Sequence, residues 1–201
     1  MYRIGLSTCG KNITEELFAD YKNAGISAME ICVDTKKYDT FDYKLISELA
    51  KKYEIDLWSF HFPFMPNSII DISNKEIRTG NIKYFCELIK KASDIGINKF
   101  VIHASGETFE DYERRERMIC AKESLAELAD FAEKYNAIIA VEDLPRTCLG
   151  NNSSEIKELI SAHDSLRVCL DTNHLLNESV VSFIKEIKDK IITTHISDYD
   201  L

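Results

Sequence analysis

The chain has 201 residues, of which 45% are hydrophobic and 29% are charged, as is usual for a soluble globular domain. This length suits one sizeable core, so we expect residues 1–201 to form a single domain. With 25 Lys and Arg against 34 Asp and Glu, the net charge is −9. Because duplex binding depends on neutralising phosphates, this charge argues against a nucleic-acid partner. No apolar run is long enough to span a bilayer, so no membrane partner is expected.

Strand-like and helix-like segments alternate along the whole chain. The pattern predicts strands at 2–7, 27–32, 55–61, 98–103, 137–142, 166–171 and 190–195. Helical spacing predicts helices at about 14–24, 42–53, 74–95, 112–135, 153–162 and 177–187. Such alternation predicts a parallel sheet with helices outside it, either an open doubly wound sheet or a (β/α) barrel. Residues 7–11 have too few glycines for a dinucleotide-binding loop, and the residues at the strand ends favour the barrel.

Several residues mark the ends of the predicted helices. Ser73 and Ser153 are candidate N-caps of the third and fifth helices. Gly25 and Gly96 follow helices and precede strands, where a glycine commonly ends a helix. The N-terminal residues 2–7 form a strand pattern rather than a secretory signal, because the apolar stretch is short and no cleavage pattern follows.

The six cysteines are scattered along the chain and form no CxxC or similar motif. Several fall inside strand or helix patterns, which indicates buried free thiols rather than a disulfide framework. Free thiols are typical of a reducing compartment, so we expect a cytoplasmic protein.

Each predicted strand after the first ends on, or carries near its end, a polar or charged residue. These residues are Glu30, His61, His103, Glu142, Asp171 and His195. Residues two apart share a face of a strand, so the same face should carry Leu57, Ser59, Ile191 and Thr193. The opposite face, predicted to pack under helices, carries Trp58, Phe60, Phe100, Ile102, Val141, Leu170 and Ile192. The polar ends should therefore converge in one mouth, where barrel active sites lie.

Three histidines and two or three carboxylates in one mouth are the ligand set of a divalent metal ion. Imidazole together with carboxylate suits Mn, Zn, Co or Fe better than an all-oxygen Mg or Ca site. His61 and His103 can equally be hydrogen-bonded pocket residues, and Glu30 can form a salt bridge or line the pocket. For Glu142, Asp171 and His195 metal ligation is favoured, because carboxylates at the ends of buried strands are costly unless they are paired or bound to metal.

The loop that follows the third strand carries the aromatic sequence HFPF. Phe62 and Phe64 are predicted to form an apolar wall beside the histidines. Pro63 and Pro66 bias this loop toward extended or turn conformations, which would hold the aromatic rings in place.

Five segments in chain order resemble motifs of one known superfamily. AGISAMEICVD, VIHASG, VEDLP, LDTNHLL and THISDYD are similar to motifs of the xylose isomerase-like TIM-barrel superfamily, in particular its sugar (phosphate) isomerase/epimerase branch. The match extends over nearly the whole chain. The resemblance implies a (β/α) TIM barrel, and because the chain stops at Leu201, soon after the seventh strand, we expect the last β/α unit to be lacking.

The resemblance also implies an activity and its residues. It implies a divalent-metal-dependent sugar or sugar-phosphate isomerase/epimerase that removes a proton next to a carbonyl, with the metal stabilising the enediolate. Glu142, Asp171 and His195 would hold the metal together with a glutamate of the eighth strand, and Glu142 would also be the catalytic base. The metal could be Mn, Zn, Co or Mg. The residues expected to line the substrate site are Glu30, His61, His103, His174 and Asp198.

Two other functions compete with this interpretation. An endonuclease IV-type DNA repair nuclease of the same superfamily would place a multi-zinc cluster on His61, His103, Glu142, Asp171, His174 and His195. The net charge and the acidic segment 103–116 argue against it. A catalytically inactive binding protein of the same fold is the second alternative. The exposed strand edges of an incomplete barrel would favour a homo-oligomer.

Overall fold

Alternating strands and helices build one parallel sheet covered by helices on one side. The computed structural model describes residues 4–33, 35–64, 69–107 and 109–197. The strands are β1 (Gly5–Ser7), β2 (Ala28–Ile31), β3 (Asp56–His61), β4 (Lys99–His103), β5 (Ile138–Glu142), β6 (Arg167–Asp171) and β7 (Ile191–His195). The α-helices are α1 (Glu15–Asn23), α2 (Tyr43–Tyr53), α3 (Arg78–Ser93), α4 (Arg114–Glu133), α5 (Ser153–Ile160) and α6 (Val180–Ile187). Short 3-10 helices lie at Thr35–Thr40, Asp111–Glu113 and Lys188–Lys190.

The sheet follows the chain in the order β1-β2-β3-β4-β5-β6-β7, and every neighbouring pair is parallel. This is the curled, incomplete TIM barrel that the sequence predicted, with β1 and β7 at its two edges. The carboxyl ends of the strands share one rim, as required for the predicted convergence of polar residues. Within the described ranges, no helix combines the length and the apolar character needed to cross a bilayer.

Both predicted serine caps are wrong, whereas the two glycines end their helices as predicted. Helix α3 begins at Arg78, and Ser73 instead donates its backbone N–H and its hydroxyl to Asp71 at 2.8 and 2.6 Å. The N-cap of α5 is Asn152, whose side chain accepts the Glu155 N–H at 3.0 Å. Gly25 and Gly96 have φ values of +78° and +94°, a region that L side chains rarely adopt.

The main core lies between the sheet and the helices. It contains the predicted outward-facing residues Phe60, Phe100, Ile102, Val141 and Leu170. Phe62 also belongs to this core, because its ring stacks on Phe85 at 4.5 Å and on Phe100 at 5.4 Å between centroids. The prediction that Phe62 forms a wall of the polar pocket is therefore wrong. Pro66 lies outside the described residues.

The sheet has two register shifts, each of which interrupts the strict alternation of side chains between the two faces of a strand that the sequence analysis assumed. Met29 pairs with Leu57 but Glu30 pairs with Ser59, which leaves Trp58 as an extra residue in β3. In β7, Ile192 is extra in the same way, because Val168 and Cys169 of β6 pair with Ile191 and Thr193.

These bulges decide which side chains enter the barrel. Leu57 lies in the outer core, and Ile191 contacts both that core and the cavity. Trp58 and Ile192 face the interior, where Ile192 packs on a small cluster of Val101, Ala140 and Cys169. The predicted faces of Leu57, Trp58 and Ile192 are therefore wrong, whereas Ile191 also lines the cavity, as predicted.

Candidate metal centre and substrate cavity

A cavity of about 960 Å³ opens on the carboxyl ends of the strands and extends into the barrel. It is lined by every predicted site residue that the structure describes, namely Glu30, His61, His103, Glu142, Asp171, His174 and His195. Asp198 lies outside the described residues. Phe64 provides the apolar wall expected from the sequence, with its ring centroid 5.0 Å from His61 and 4.7 Å from His103.

Glu142, the last residue of β5, is the centre of the polar cluster. Its carboxylate lies 3.0 Å from His61 Nε2, 3.1 Å from His103 Nε2 and 3.0 Å from His195 Nδ1. Only 2% of its side chain is exposed. Burial opposes ionisation, but His103, His195 and His61 outweigh it and hold the pKa of Glu142 well below its usual value. These contacts therefore favour the ionised form of Glu142.

His195 lies between two carboxylates. Its Nε2 is 3.1 Å from Glu30, and its Nδ1 is 3.0 Å from Glu142. Burial would lower the pKa of His195, but hydrogen bonds with Cys169, Glu142 and Glu30 outweigh burial and raise it well above the usual value. This shift favours the imidazolium form of His195, in which each ring nitrogen donates to one of the two carboxylates.

Glu30 of β2 is anchored in the cavity wall. It accepts hydrogen bonds from the hydroxyls of Ser59 at 2.8 Å and Ser7 at 3.2 Å. Burial would raise its pKa, but the contacts with His195, His61 and Ser59 lower it. Glu30 therefore does both things that the sequence analysis considered: it forms a salt bridge, with His195, and it lines the pocket.

His61 and His103 approach the same oxygen of Glu142 from β3 and β4. His61 Nδ1 donates to the backbone oxygen of Phe62 at 2.7 Å, which turns its Nε2 toward Glu142. Burial would lower the pKa of His61, but the interaction with Glu142 outweighs burial and raises it. For His103, burial outweighs Glu142 and lowers the pKa. The two imidazoles therefore favour different protonation states although both face Glu142.

Asp143, a residue that the sequence analysis did not single out, organises the end of β6. Its Oδ1 accepts the Asp171 N–H at 2.7 Å, and its backbone oxygen accepts His174 Nδ1 at 2.8 Å. Burial raises the pKa of Asp143 to about 8, and its Oδ2 has no partner among the described residues. Two consecutive acidic residues after a buried strand, Glu142 and Asp143, were the signal that could have found it.

The three predicted ligands of the metal ion meet at this rim. His195 Nδ1 lies 3.0 Å from Glu142 and 3.9 Å from Asp171 Oδ2. Among the described residues, three groups bring their donor atoms within 4.8 Å of one another: His61 with His103 and Glu142, Glu142 with Cys169 and His195, and Glu142 with Asp171 and His174. Nitrogen and carboxylate donors at these separations fit a transition-metal ion such as Mn or Zn.

Comparisons with known proteins agree with this architecture. A family model described as xylose isomerase-like TIM barrel matches residues 18–201. An uncharacterized protein of Methanocaldococcus jannaschii is 25% identical over 196 residues, covering 92% of this chain and 76% of that protein. A "Probable endonuclease 4" of Aquifex aeolicus is 26% identical over 118 residues, covering 57% of this chain and 40% of that protein. The solved structure of a D-tagatose 3-epimerase-like protein superposes with a TM-score of 0.84 at 21% identity, covering 98% and 76% of the two chains.

Proposed function

The chain belongs to the xylose isomerase-like TIM-barrel family, and we propose on that premise that it is a divalent-metal-dependent isomerase or epimerase of a sugar or sugar phosphate. The observation that carries the proposal is the convergence of Glu142, Asp171 and His195 from three successive strands. The fold similarity to a D-tagatose 3-epimerase-like protein supports the same class of reaction.

Glu142, Asp171 and His195 would hold the metal ion, and three protein ligands leave open positions for substrate oxygens. When bound, a divalent ion would polarise a substrate carbonyl and stabilise the negative charge that develops on its oxygen. The three histidines that contact Glu142 favour its ionised form, so its carboxylate can accept the proton from the carbon next to that carbonyl.

The other cavity residues suit a polyhydroxylated substrate. His61, His103, His174 and Glu30 offer hydrogen-bond donors and acceptors to sugar hydroxyls, while Phe64 supplies an apolar surface. A cavity of about 960 Å³ can enclose a monosaccharide or its phosphate. It would orient the sugar and reduce the access of water to the reacting carbon.

His195 must lose a proton before it can bind a cation. Because its pKa is raised in the metal-free protein, metal binding should release a proton even above the usual histidine value of 6.5. Affinity for the metal should consequently increase with pH through neutrality. Calorimetry in buffers of different ionisation enthalpy measures this release.

The test of the proposal combines metal binding with proton exchange. We expect Mn²⁺ to bind the wild-type chain and Asp171→Ala to weaken binding by at least about tenfold, since a ligand is lost. Asp189→Ala, which removes an exposed carboxylate at the opposite end of β7, is the matched control and should bind normally. Equal affinity in wild-type and Asp171→Ala chains would contradict the site.

Ketoses incubated with the metal-loaded enzyme in deuterated water should incorporate deuterium next to the carbonyl, as measured by NMR. Glu142→Gln should abolish this incorporation, because an amide cannot accept the proton. Metal binding without exchange on any ketose or ketose phosphate would instead favour a catalytically inactive binding protein.

An endonuclease IV-type nuclease is the second candidate. It is supported by the additional ligand group of His61, His103 and Glu142 and by the partial match to the Aquifex protein. The net charge of −9 disfavours it. Binding of several zinc ions per chain, with cleavage of DNA at abasic sites, would establish this candidate, whereas one divalent ion per chain favours the isomerase.

A further inference from the structure

Cys9 and Cys32 lie side by side at the mouth of the cavity. Strand β1 pairs with β2 so that Ser7 is opposite Glu30, and each cysteine follows its strand residue by two positions. Both line the cavity, and each thiol is the largest influence on the pKa of the other. The two cysteines are 23 residues apart in sequence and form no motif, so only the pairing of the strands brings them together.

The backbone on both sides of the pair is fixed by hydrogen bonds. A tight turn after β1 is closed by Lys11 N–H donating to Thr8 O at 2.9 Å, with Gly10 at φ +69°. The Thr8 hydroxyl accepts the Cys32 N–H and donates to the Cys32 carbonyl oxygen, both at 2.8 Å. Because Thr8 is adjacent to Cys9, these bonds hold the backbone beside Cys9 against the backbone of Cys32.

We propose that Cys9 and Cys32 form a thiol-oxidation site at which hydrogen peroxide, or a hydroperoxide of the same chemistry, converts the pair into an intramolecular disulfide. The inference is independent of the proposed sugar chemistry, because it requires neither a metal ion nor a substrate. Cys9 is exposed and meets the oxidant, whereas Cys32 is buried behind it and closes the disulfide.

In the first step, the Cys9 thiolate attacks one oxygen of the peroxide. The O–O bond breaks, hydroxide leaves and takes up a proton as water, and Cys9 becomes a sulfenic acid. The thiolate is available near neutral pH, because the hydrogen bond from Cys32, together with the charges of His61 and His195, lowers the pKa of Cys9 to about 6 against the effect of burial.

In the second step, the sulfur of Cys32 attacks the sulfur of Cys9. An S–S bond forms, the S–O bond breaks, and the departing hydroxide takes the Cys32 proton as water, so one peroxide is reduced to two waters. The pKa of Cys32 is raised chiefly by the hydrogen bond to Cys9 and by burial, and the Cys9 thiolate charge adds to this. That contribution of charge disappears once Cys9 is an uncharged sulfenic acid.

The other cysteines are poorer targets. Burial raises the pKa of Cys86 and of Cys148 to about 11, and it also raises the pKa of Cys169. Cys120 is buried in α4. The oxidation should therefore be selective for Cys9 and Cys32.

The experiment treats the full chain with equimolar hydrogen peroxide and analyses it without reduction. We expect the number of titratable thiols to fall by two from six. Digestion with trypsin, which cuts between the two cysteines at Lys11 and Lys22, should yield one disulfide-linked peptide pair in mass spectrometry. Cys86→Ser, the matched control at a half-buried thiol, should give the same linked pair.

The single variants of the pair separate the two steps. Cys32→Ser should stop at a sulfenic acid on Cys9 that dimedone traps, and Cys9→Ser should form no disulfide. The proposal is overturned if wild-type Cys9 proceeds to sulfinic acid while Cys32 keeps its thiol. It is equally overturned if both stay reduced, or if Cys9 links two chains on a non-reducing gel.

Discussion

At the level of single residues, the cluster around Glu142 shows how a buried charge is tolerated. A carboxylate with 2% of its side chain exposed would be strongly destabilising if it were unpaired. Three imidazoles at 3.0–3.1 Å compensate the charge, and one of them, His195, is itself compensated by Glu30. Such an arrangement contributes little net stability. It also holds the side chains that we propose as metal ligands close together.

Asp143 should make the stability of the fold depend on pH. Its folded-state pKa of about 8 lies above the ordinary value of 3.8. The contribution of Asp143 to the free energy of unfolding is therefore complete below pH 3.8 and is lost as the pH rises through about 8. Asp143→Asn keeps an acceptor for the Asp171 N–H and cannot ionise. We expect the free energy of unfolding of the wild type to fall, relative to this variant, between about pH 4 and about pH 8 in urea titrations, and to change no further above that. A constant difference between the two proteins across this range would refute the shift.

At the level of elements, the bulges in β3 and β7 deliver side chains that simple alternation would have placed elsewhere. They bring Trp58 and Ile192 into the barrel while keeping Ser59 and His195 directed at Glu30. Bulges commonly re-aim side chains beside functional sites. In β3 and β7 the bulge alters which face of the sheet the preceding side chains occupy, whereas the polar residue at the carboxyl end of the strand still faces the cavity.

The loop between β5 and α5 depends on a glycine at Gly150. Its φ is +87°, and an added Cβ would lie 2.9 Å from Ile156 Cδ1. We expect Gly150→Ala to lower the free energy of unfolding by about 1 kcal/mol or more, measured by chemical denaturation. Gly80→Ala is the control, because Gly80 is helical with open space around its Cβ position, and it should stabilise by about 0.5–1 kcal/mol. A Gly150→Ala chain as stable as the wild type would contradict this account.

At the level of the whole molecule, the barrel has two sheet edges and apolar residues beside them. Ile4 is 76% exposed next to β1, and Ile196 is 80% exposed just after β7. Among the described strands, β1 and β7 each pair on one side only, and sheet edges flanked by exposed apolar groups are general sites of association between copies.

We expect the 201-residue chain to associate with increasing concentration in sedimentation velocity experiments. A lysine on the edge strand, Leu6→Lys, should reduce the association, because a charge must be desolvated in the contact. Ile119→Lys, at an exposed position of α4, should leave it unchanged. A monomer at every concentration tested would exclude the edges as contact surfaces.

The sequence by itself determined the order of strands and helices, the barrel class and the residues at the strand ends. These features are local: apolar periodicity specifies each element, and a polar residue at a strand end is visible within a few positions of the chain. The short segments that resemble the family are local as well. For the same reason the residues at the rim, from Glu30 to His195, could be named before their distances were known.

Only the tertiary structure decided which of these residues touch. The ion pair of Glu30 and His195 joins positions 165 residues apart, and the placement of Cys9 beside Cys32 depends on the register of β1 against β2. The placement of Trp58 depends on a one-residue shift between strands. Register is set by how whole strands pack and twist against their neighbours, and no short stretch of sequence contains that information.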